Sequence, residues 1–269
     1  MRFMQRLKIR NEQKGVSITE IMITLPIITI ILLTLVSALF NLYASGLAES
    51  ARTNLRVNGQ TLLINLQDEL LFTISYGETL DVNLADPFQP SGGWDYDTTP
   101  ETLIINEVAL DSTRRDEDRH IVRRQINNCT TSAITDNPVA INNVIYFVED
   151  VPGSEYDRLY KRTVTPTFGT CSIDLVTGDP CVPSTATCKG NAKETTCPSA
   201  DVGTGNCTGA DSLLSENVLD FQISYFEEDN VETTFPSAAD KIEVVLTLGD
   251  KVFGKQVQTE IRHTIRKIN

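Results

Sequence analysis

Residues 14–40 read KGVSITEIMITLPIITIILLTLVSALF, and this stretch decides what the rest of the chain can be. No charged residue occurs from position 21 to 48. The 21–40 portion has the length of roughly 20 apolar residues that crosses the hydrocarbon of a bilayer. The segment is therefore predicted to be a membrane-spanning helix. Arg2, Arg6, Lys8, Arg10 and Lys14 precede it against Glu12 alone. The excess of basic residues on cytoplasmic flanks places the N-terminus in the cytoplasm and everything after position 45 outside. Pro26 lies inside the span and should kink it or open it locally, which membrane helices tolerate where neighbours satisfy the freed carbonyl.

An ordinary secretory signal has a shorter apolar region, of about 7–15 residues, followed by a small-residue cut. The best such site here, around Ala44 to Gly46, is weak. A permanent signal-anchor is the plain alternative. Two adjacent features do not fit it: Gly15 closes the basic leader, and a lone carboxylate, Glu20, stands at the edge of the apolar run. A charge bordering the membrane core is costly and tends to be functional.

The 269-residue chain has a formal charge of −13, but its first fifteen residues carry +4, so the body without them is at −17. Such a body repels phosphate backbones and disfavours broad nucleic-acid binding. All six cysteines, Cys129, Cys171, Cys181, Cys188, Cys197 and Cys207, lie in the segment expected outside, five of them within 37 residues. An even count in an exported chain points to disulfides. Zinc needs short ligand spacings such as C-x-x-C, and the cluster has wide gaps and no nearby histidine. No metal or cofactor is expected. Six cysteines allow fifteen connectivities, and the spacing does not choose among them.

The segment KGVSITEIMITLP, residues 14–26, resembles the prepilin cleavage and methylation motif of type IV pilins and type II secretion pseudopilins. The resemblance implies that a membrane prepilin peptidase removes the 1–15 leader after Gly15 and N-methylates Val16. It implies that Glu20, five residues into the mature chain, pairs with the N-terminal amine of a neighbouring subunit during filament assembly. A carboxylate drawn into lipid is stabilised by a partner cation in the same low-dielectric place. Val16 departs from the usual phenylalanine or methionine, and Ser17, Ile18 and Thr19 follow the family order only loosely.

Beyond the membrane the helix is expected to continue, over 16–76 in all. Leu55, Leu62, Leu63, Leu66 and Leu70 draw one apolar stripe, the pattern of packing on a domain. Gly59 interrupts it at a cost of about 1 kcal/mol relative to alanine, and Gly77 is the expected stop. Through Thr73 the element would span ~85 Å at 1.5 Å per residue. That exceeds a lone globular helix, so half of it must sit in lipid or a fibre core.

An extracytoplasmic β-rich domain is expected over 77–269. Turn clusters Asp86-Pro87, Gln89-Pro90 and Ser91-Gly92-Gly93 precede Trp94, the one tryptophan. Strand-like runs follow at 103–108, 119–126, 144–148 and 158–164. Leu219, Phe221, Ile223 and Tyr225 alternate with polar residues, as do Ile242, Val244, Leu246 and Leu248. Val257, Thr259, Ile261, His263 and Ile265 share one face of a last strand. The fold class is thus α+β, a long assembly helix followed by an antiparallel sheet. With Leu159-Tyr160-Lys161-Arg162, the order resembles PilW-like minor pilins and J-type pseudopilins. Residues 169–210 are rich in Cys, Thr, Gly, Ser and Pro and cannot bury a core of their own, so they are expected to rely on disulfides and to form either an interaction surface or a stapled loop.

No catalytic constellation stands out. His120 and His263 lack motif partners, Asp116-Glu117-Asp118 reads as a solvated turn without EF-hand ligand order, and Asp95 and Asp97 beside Trp94 and Tyr96 fit a sugar or partner contact and turn chemistry equally well. Phosphate loops and nucleophile elbows are missing. The expectation is a non-enzymatic minor pilin, held as a single-pass protein in the cytoplasmic membrane and then displayed in an extracellular filament. Its partners would be other pilin subunits, the prepilin peptidase, the inner-membrane assembly machinery and, before assembly, lipid. Alternatives are a secretion or competence pseudopilin, whose DNA contact through Lys251, Lys255, Arg262, Arg266 and Lys267 the net charge disfavours, and a signal-anchored extracellular binding protein that never polymerises.

Overall fold

The structure is a computed structural model that describes residues 17–70, 73–81, 84–97, 101–112, 119–126, 129, 137–167, 169–174, 176–182 and 188–267. The chain divides into two compact units, Met1–Ser50 and Ala51–Asn269. One helix, α1 (Ile18–Leu70), contributes to both.

Within the first unit, α1 is apolar all round. Its large side chains from Ile18 to Tyr43 are exposed, and the most apolar window has no residue buried within the chain. The helix is long and apolar enough to cross a membrane. Its few hydroxyls satisfy themselves: Thr24 Oγ1 donates to the Glu20 carbonyl at 2.7 Å, Thr29 to Leu25 at 2.8 Å and Thr34 to Ile31 at 2.8 Å. Such back-bonding leaves little polar surface to desolvate.

In the second unit the leucine stripe turns inward. Leu55, Leu62, Leu63, Leu66 and Leu70 are buried in the main core. The helix ends at Leu70 rather than near Gly77 because the next residues favour strand: β1 spans Thr73–Gly77, with Thr73, Ile74 and Tyr76. Gly77 does serve as a stop, but of that strand, where a Cβ would lie 2.9 Å from the Thr79 carbonyl.

The remaining strands are β2 (Leu103–Val108), β3 (Arg123–Arg124), β4 (Ile141–Glu149), β5 (Asp157–Val164), β6 (Thr170–Ile173), β7 (Pro180–Cys181), β8 (Thr196–Cys197), β9 (Gly209–Ala210), β10 (Ser212–Phe226), β11 (Glu232–Thr233), β12 (Lys241–Val252) and β13 (Lys255–Arg266). The main sheet has the order β1-β2-β4-β5-β10-β12-β13, with β11 paired to β10, and every pairing in it is antiparallel. Separately, β3-β6-β7 form a small sheet and β8 pairs β9 in parallel. The expected strand over 119–126 shrinks to β3 with bridges at Ile121 and Arg123, because its partners touch it only locally.

Alternation decides what each face buries. Leu103, Ile105, Val144, Tyr146 and Leu159 meet the helix, while Ile104, Ile145 and Val164 join Trp94 in a second core on the opposite face. Strands buried on both faces lose the polar alternation of a half-wet strand. In β12, Ile242, Val244, Leu246 and Leu248 face the helix, and the other face is wetter. The β12–β13 hairpin closes through Phe253 at φ 50° and Gly254 at φ 75°. Two consecutive left-handed residues make the turn whose twist matches paired strands.

Candidate functional site

Of the N-terminal site residues, Gly15 and Val16 lie outside the described residues. Glu20 sits in the first turn of α1, where its Oε2 accepts the Ser17 backbone N–H at 3.2 Å while Ser17 Oγ accepts the Thr19 N–H at 3.3 Å. The pair Ser17 and Glu20 forms a capping box, each side chain serving backbone donors at the helix start. A carboxylate here also faces the positive end of the helix dipole. The spacing S-x-x-E was legible, but this local role was not drawn from it.

All six cysteines are bonded, as Cys129–Cys171, Cys181–Cys188 and Cys197–Cys207. The first bond ties the cluster to a distant position, and the other two close short loops. The cysteine-rich segment is not merely a surface excursion: Cys171, Ser172 and Cys197 are fully buried. It docks on β5 where β10 leaves that strand's flank. The Thr163 backbone N–H donates to Thr196 Oγ1 at 2.9 Å, and that of Thr165 to Thr195 Oγ1 at 3.1 Å.

Two charged clusters fix this docking, and neither was anticipated. In the first, Arg162 of β5 is 3 % exposed and reaches Asp86 at 3.0 Å and Asp211 at 2.6 Å. Trp94 Nε1 donates to Asp86 at 2.7 Å, Thr196 Oγ1 donates to Asp211 at 2.9 Å, and the guanidinium carbon lies 5.2 Å from the Trp94 ring centre. Burial works against the charge on Arg162, but the hydrogen bonds and charge of Asp211, then of Asp86, outweigh it and raise its pKa.

In the second cluster, Lys193 of the cysteine-rich segment bridges Glu69 of α1 at 2.8 Å and Glu107 of β2. Lys161 adds a 3.0 Å contact to Glu69, and the Tyr146 hydroxyl donates to the same carboxylate. Burial favours protonation of Glu69, yet Lys193, Tyr146 and Lys161 together hold its pKa below the ordinary value. Glu107 has mainly Lys193, so burial prevails and its pKa rises. Burial opposes the charge of Lys193 as well, but its two carboxylates raise its pKa.

This cluster floors a groove of about 980 Å³ between the helix, at Asn58, Thr61 and Asn65, and the strand at Ser212, Ser215 and Asn217. Within the cluster the two carboxylates of Glu69 and Glu107 are matched by the two ammonium groups of Lys161 and Lys193.

His263 Nε2 lies 2.9 Å from Gln67 Oε1 on the helix, and the carbonyl of His120 accepts the Asp111 N–H. Asp95 Oδ1 accepts the Asp97 N–H at 3.1 Å, the turn chemistry that is one of the two readings open for that pair. Asp116, Glu117 and Asp118 lie outside the described residues. Among the described residues, no group of three or more His, Cys, Asp or Glu side chains is placed to hold a metal ion. Compared with known proteins, the chain matches no family model, no curated sequence and no solved structure.

Proposed function

We propose that this protein is a structural subunit of a type IV pilus or related filament, a minor pilin inserted through its N-terminal helix after leader removal at Gly15. The observation that carries the reading is the two-part character of α1. Its first part is exposed, uncharged and headed by a single carboxylate, while its second part is the core helix of an antiparallel β-domain. An exposed apolar helix needs lipid or other helices around it. A filament core supplies helices and cytoplasmic-membrane lipid supplies the state before assembly. In this reading Glu20, whose carboxylate accepts the Ser17 N–H at the helix start, offsets the amine of Val16 from a neighbouring subunit. The protein is proposed to act by assembly rather than catalysis.

A DNA-contacting competence pseudopilin is less well supported. Lys251, Arg262 and Lys267 are engaged by Glu155, Glu243 and Asp240, which lowers the positive field a phosphate backbone would meet.

The capping box supplies a test that separates assembly from folding. Glu20→Gln keeps a capping side chain but removes the charge, whereas Glu20→Ala removes both. The proposal expects Glu20→Gln to be made and membrane-inserted normally yet about tenfold or more depleted from sheared filaments, the size of a lost ion pair in apolar surroundings. Incorporation of Glu20→Gln at wild-type levels would overturn the role given to Glu20, and absence of the wild-type protein itself from sheared filaments would favour the signal-anchored binder.

A further inference from the structure

The two edges of the main sheet are treated differently. At one end, β1 is five residues long, has an irregular register, and is packed by the turn Pro236–Ala238, whose Ser237 bonds Glu78 at 3.0 Å. At the other end, β13 runs twelve residues with no register shift against β12 and no second partner among the described strands. A long, regular, open edge is a template for another strand, and natural sheets usually shorten, bulge or cover it.

The solvent-face residues of β13 say which strand fits. Antiparallel pairing of β13 with its own copy keeps each face matched only when opposed residue numbers sum to an even value. Centred on Ile261, residues 256–266 overlap, and Glu260 stands opposite Arg262 of the second copy twice, with Gln258 opposite Thr264 and Gln256 opposite Arg266. Arg262 reaches Glu243 at 3.1 Å and Glu260 of its own strand at 3.5 Å, so each cross-strand pair joins an existing charge network. The like pair of this register, Lys255 against Lys267, falls beyond the end of β13, where Lys267 lies 3.8 Å from Asp240. Moving the centre to Glu260 or Arg262 sets like charges against each other, and parallel in-register pairing does so at both positions. Centring on His263 opposes Glu260 to Arg266 but overlaps only residues 260–266 and stacks the two histidines. Like charges directly opposite are unfavourable and unlike charges favourable, so the pattern selects the Ile261-centred register.

The helix flank beside this edge agrees. Gln67 reaches His263, and Gln60 and Ile64, seven and three residues earlier, share its side of α1. Ile64 is 54 % exposed, as is Val57 seven residues before it. A two-fold axis normal to the sheet would set this apolar flank toward its copy.

We infer that the β13 edge is a self-association surface that pairs two copies of this chain antiparallel about Ile261, joining their main sheets into one. The inference is independent of leader processing and filament entry.

Register-specific cross-linking of the full-length protein in detergent tests it. Positions 258 and 264 are both exposed and, six residues apart on one strand, are about 20 Å from each other, too far for a bond within a chain. Under copper–phenanthroline oxidation, the Gln258→Cys/Thr264→Cys double variant should form a covalent dimer, with the 258-to-264 linkage found by peptide mapping. Neither single variant should cross-link alone, and a mixture of the two singles should. Glu260→Arg should lower the yield about fivefold or more, and Glu260→Arg/Arg262→Glu should restore it. Gln256→Cys with Arg266→Cys is the equivalent pair if the first disturbs folding. A double variant that stays monomeric in both pairs overturns the inference. So do single variants that cross-link as well as the double, or a charge swap that fails to restore the yield.

Discussion

Gly59 of the helix lies against Ile261 of the last strand so closely that a Cβ built on Gly59 would come within 2.1 Å of Ile261 Cδ1 and 3.1 Å of Leu248 Cδ1. The glycine that interrupts the helix pattern is thus a point of close approach between helix and sheet. Alanine there would gain about 1 kcal/mol of helix propensity, offset by moving the tip of half-buried Ile261 and crowding buried Leu248. Gly59→Ala should therefore change stability little. Gly59→Leu overpacks the contact and should cost about 1–3 kcal/mol, with Ile261→Ala recovering part of it. Chemical denaturation of the three variants in detergent checks the order.

Arg162 joins the loop that holds Trp94, the cysteine-rich segment and the start of β10. Replacing it with methionine leaves Asp86 and Asp211 buried without their cation, and breaking such a group typically costs about 3–5 kcal/mol. Arg162→Met should unfold the second unit at markedly lower denaturant. Arg162→Lys should fall between, because an ammonium cannot reproduce the two-sided contact with Asp211. Limited proteolysis should then find new cuts in 84–97 and 189–211 first.

The sign of the pH response follows from the Glu69 cluster. Glu69 has a lowered pKa, so its contribution is complete above the ordinary glutamate value and is lost as pH falls through its own lower value. Lys193 has a raised pKa, so its contribution is complete below the ordinary lysine value and is lost as pH rises through the higher one. Glu107, raised by burial, works in the opposite sense to Glu69 on the acid side, since ionising it costs stability. Glu69→Gln should therefore destabilise by about 1–3 kcal/mol near neutral pH, with the difference from wild type shrinking in acid. Glu107→Gln should cost clearly less. Denaturation midpoints measured against pH for both variants test this, and equal losses would contradict the assignment.

Regular patterns were readable because they are local. The leucine stripe of α1 and the alternation in β12 each repeat within one element, and the structure buries those residues as the period requires. In β10 an irregularity between Val218 and Asp220 puts Val218 in the core in place of Leu219, and in β13 Val257 and Ile265 are buried while Thr259, Ile261 and His263 are half-buried. What escaped was long-range or ambiguous. Glu69 and Lys193 are 124 residues apart, and Arg162 and Asp86 are 76 apart, so no window contains either pair. Cysteine pairing has the same character: Cys129 skips 42 residues to Cys171. Gly77 misled because a glycine after an amphipathic run reads as a helix stop, although Thr73, Ile74 and Tyr76 before it carry strand preference. The cysteine-rich segment read as coreless from its composition, yet it borrows burial from β5 through the Thr195 and Thr196 hydroxyls.

The hairpin turn offers a stabilising change. Phe253 holds φ at 50° and is 68 % exposed, a conformation costly for a bulky residue and easy for asparagine. Phe253→Asn followed by Gly254 is the preferred two-residue sequence for this turn. It should raise stability by up to about 1 kcal/mol, read as a higher unfolding temperature at unchanged strand register.

The central claim concerns Gly15 and Val16, and the mass of the N-terminal peptide of the protein purified from its native membrane tests it most directly. Processing by a prepilin peptidase predicts a chain that starts at Val16 and carries one added methyl group on its amine. A chain that retains Met1 and the basic leader, or one cut near Ala44 to Gly46, would contradict it.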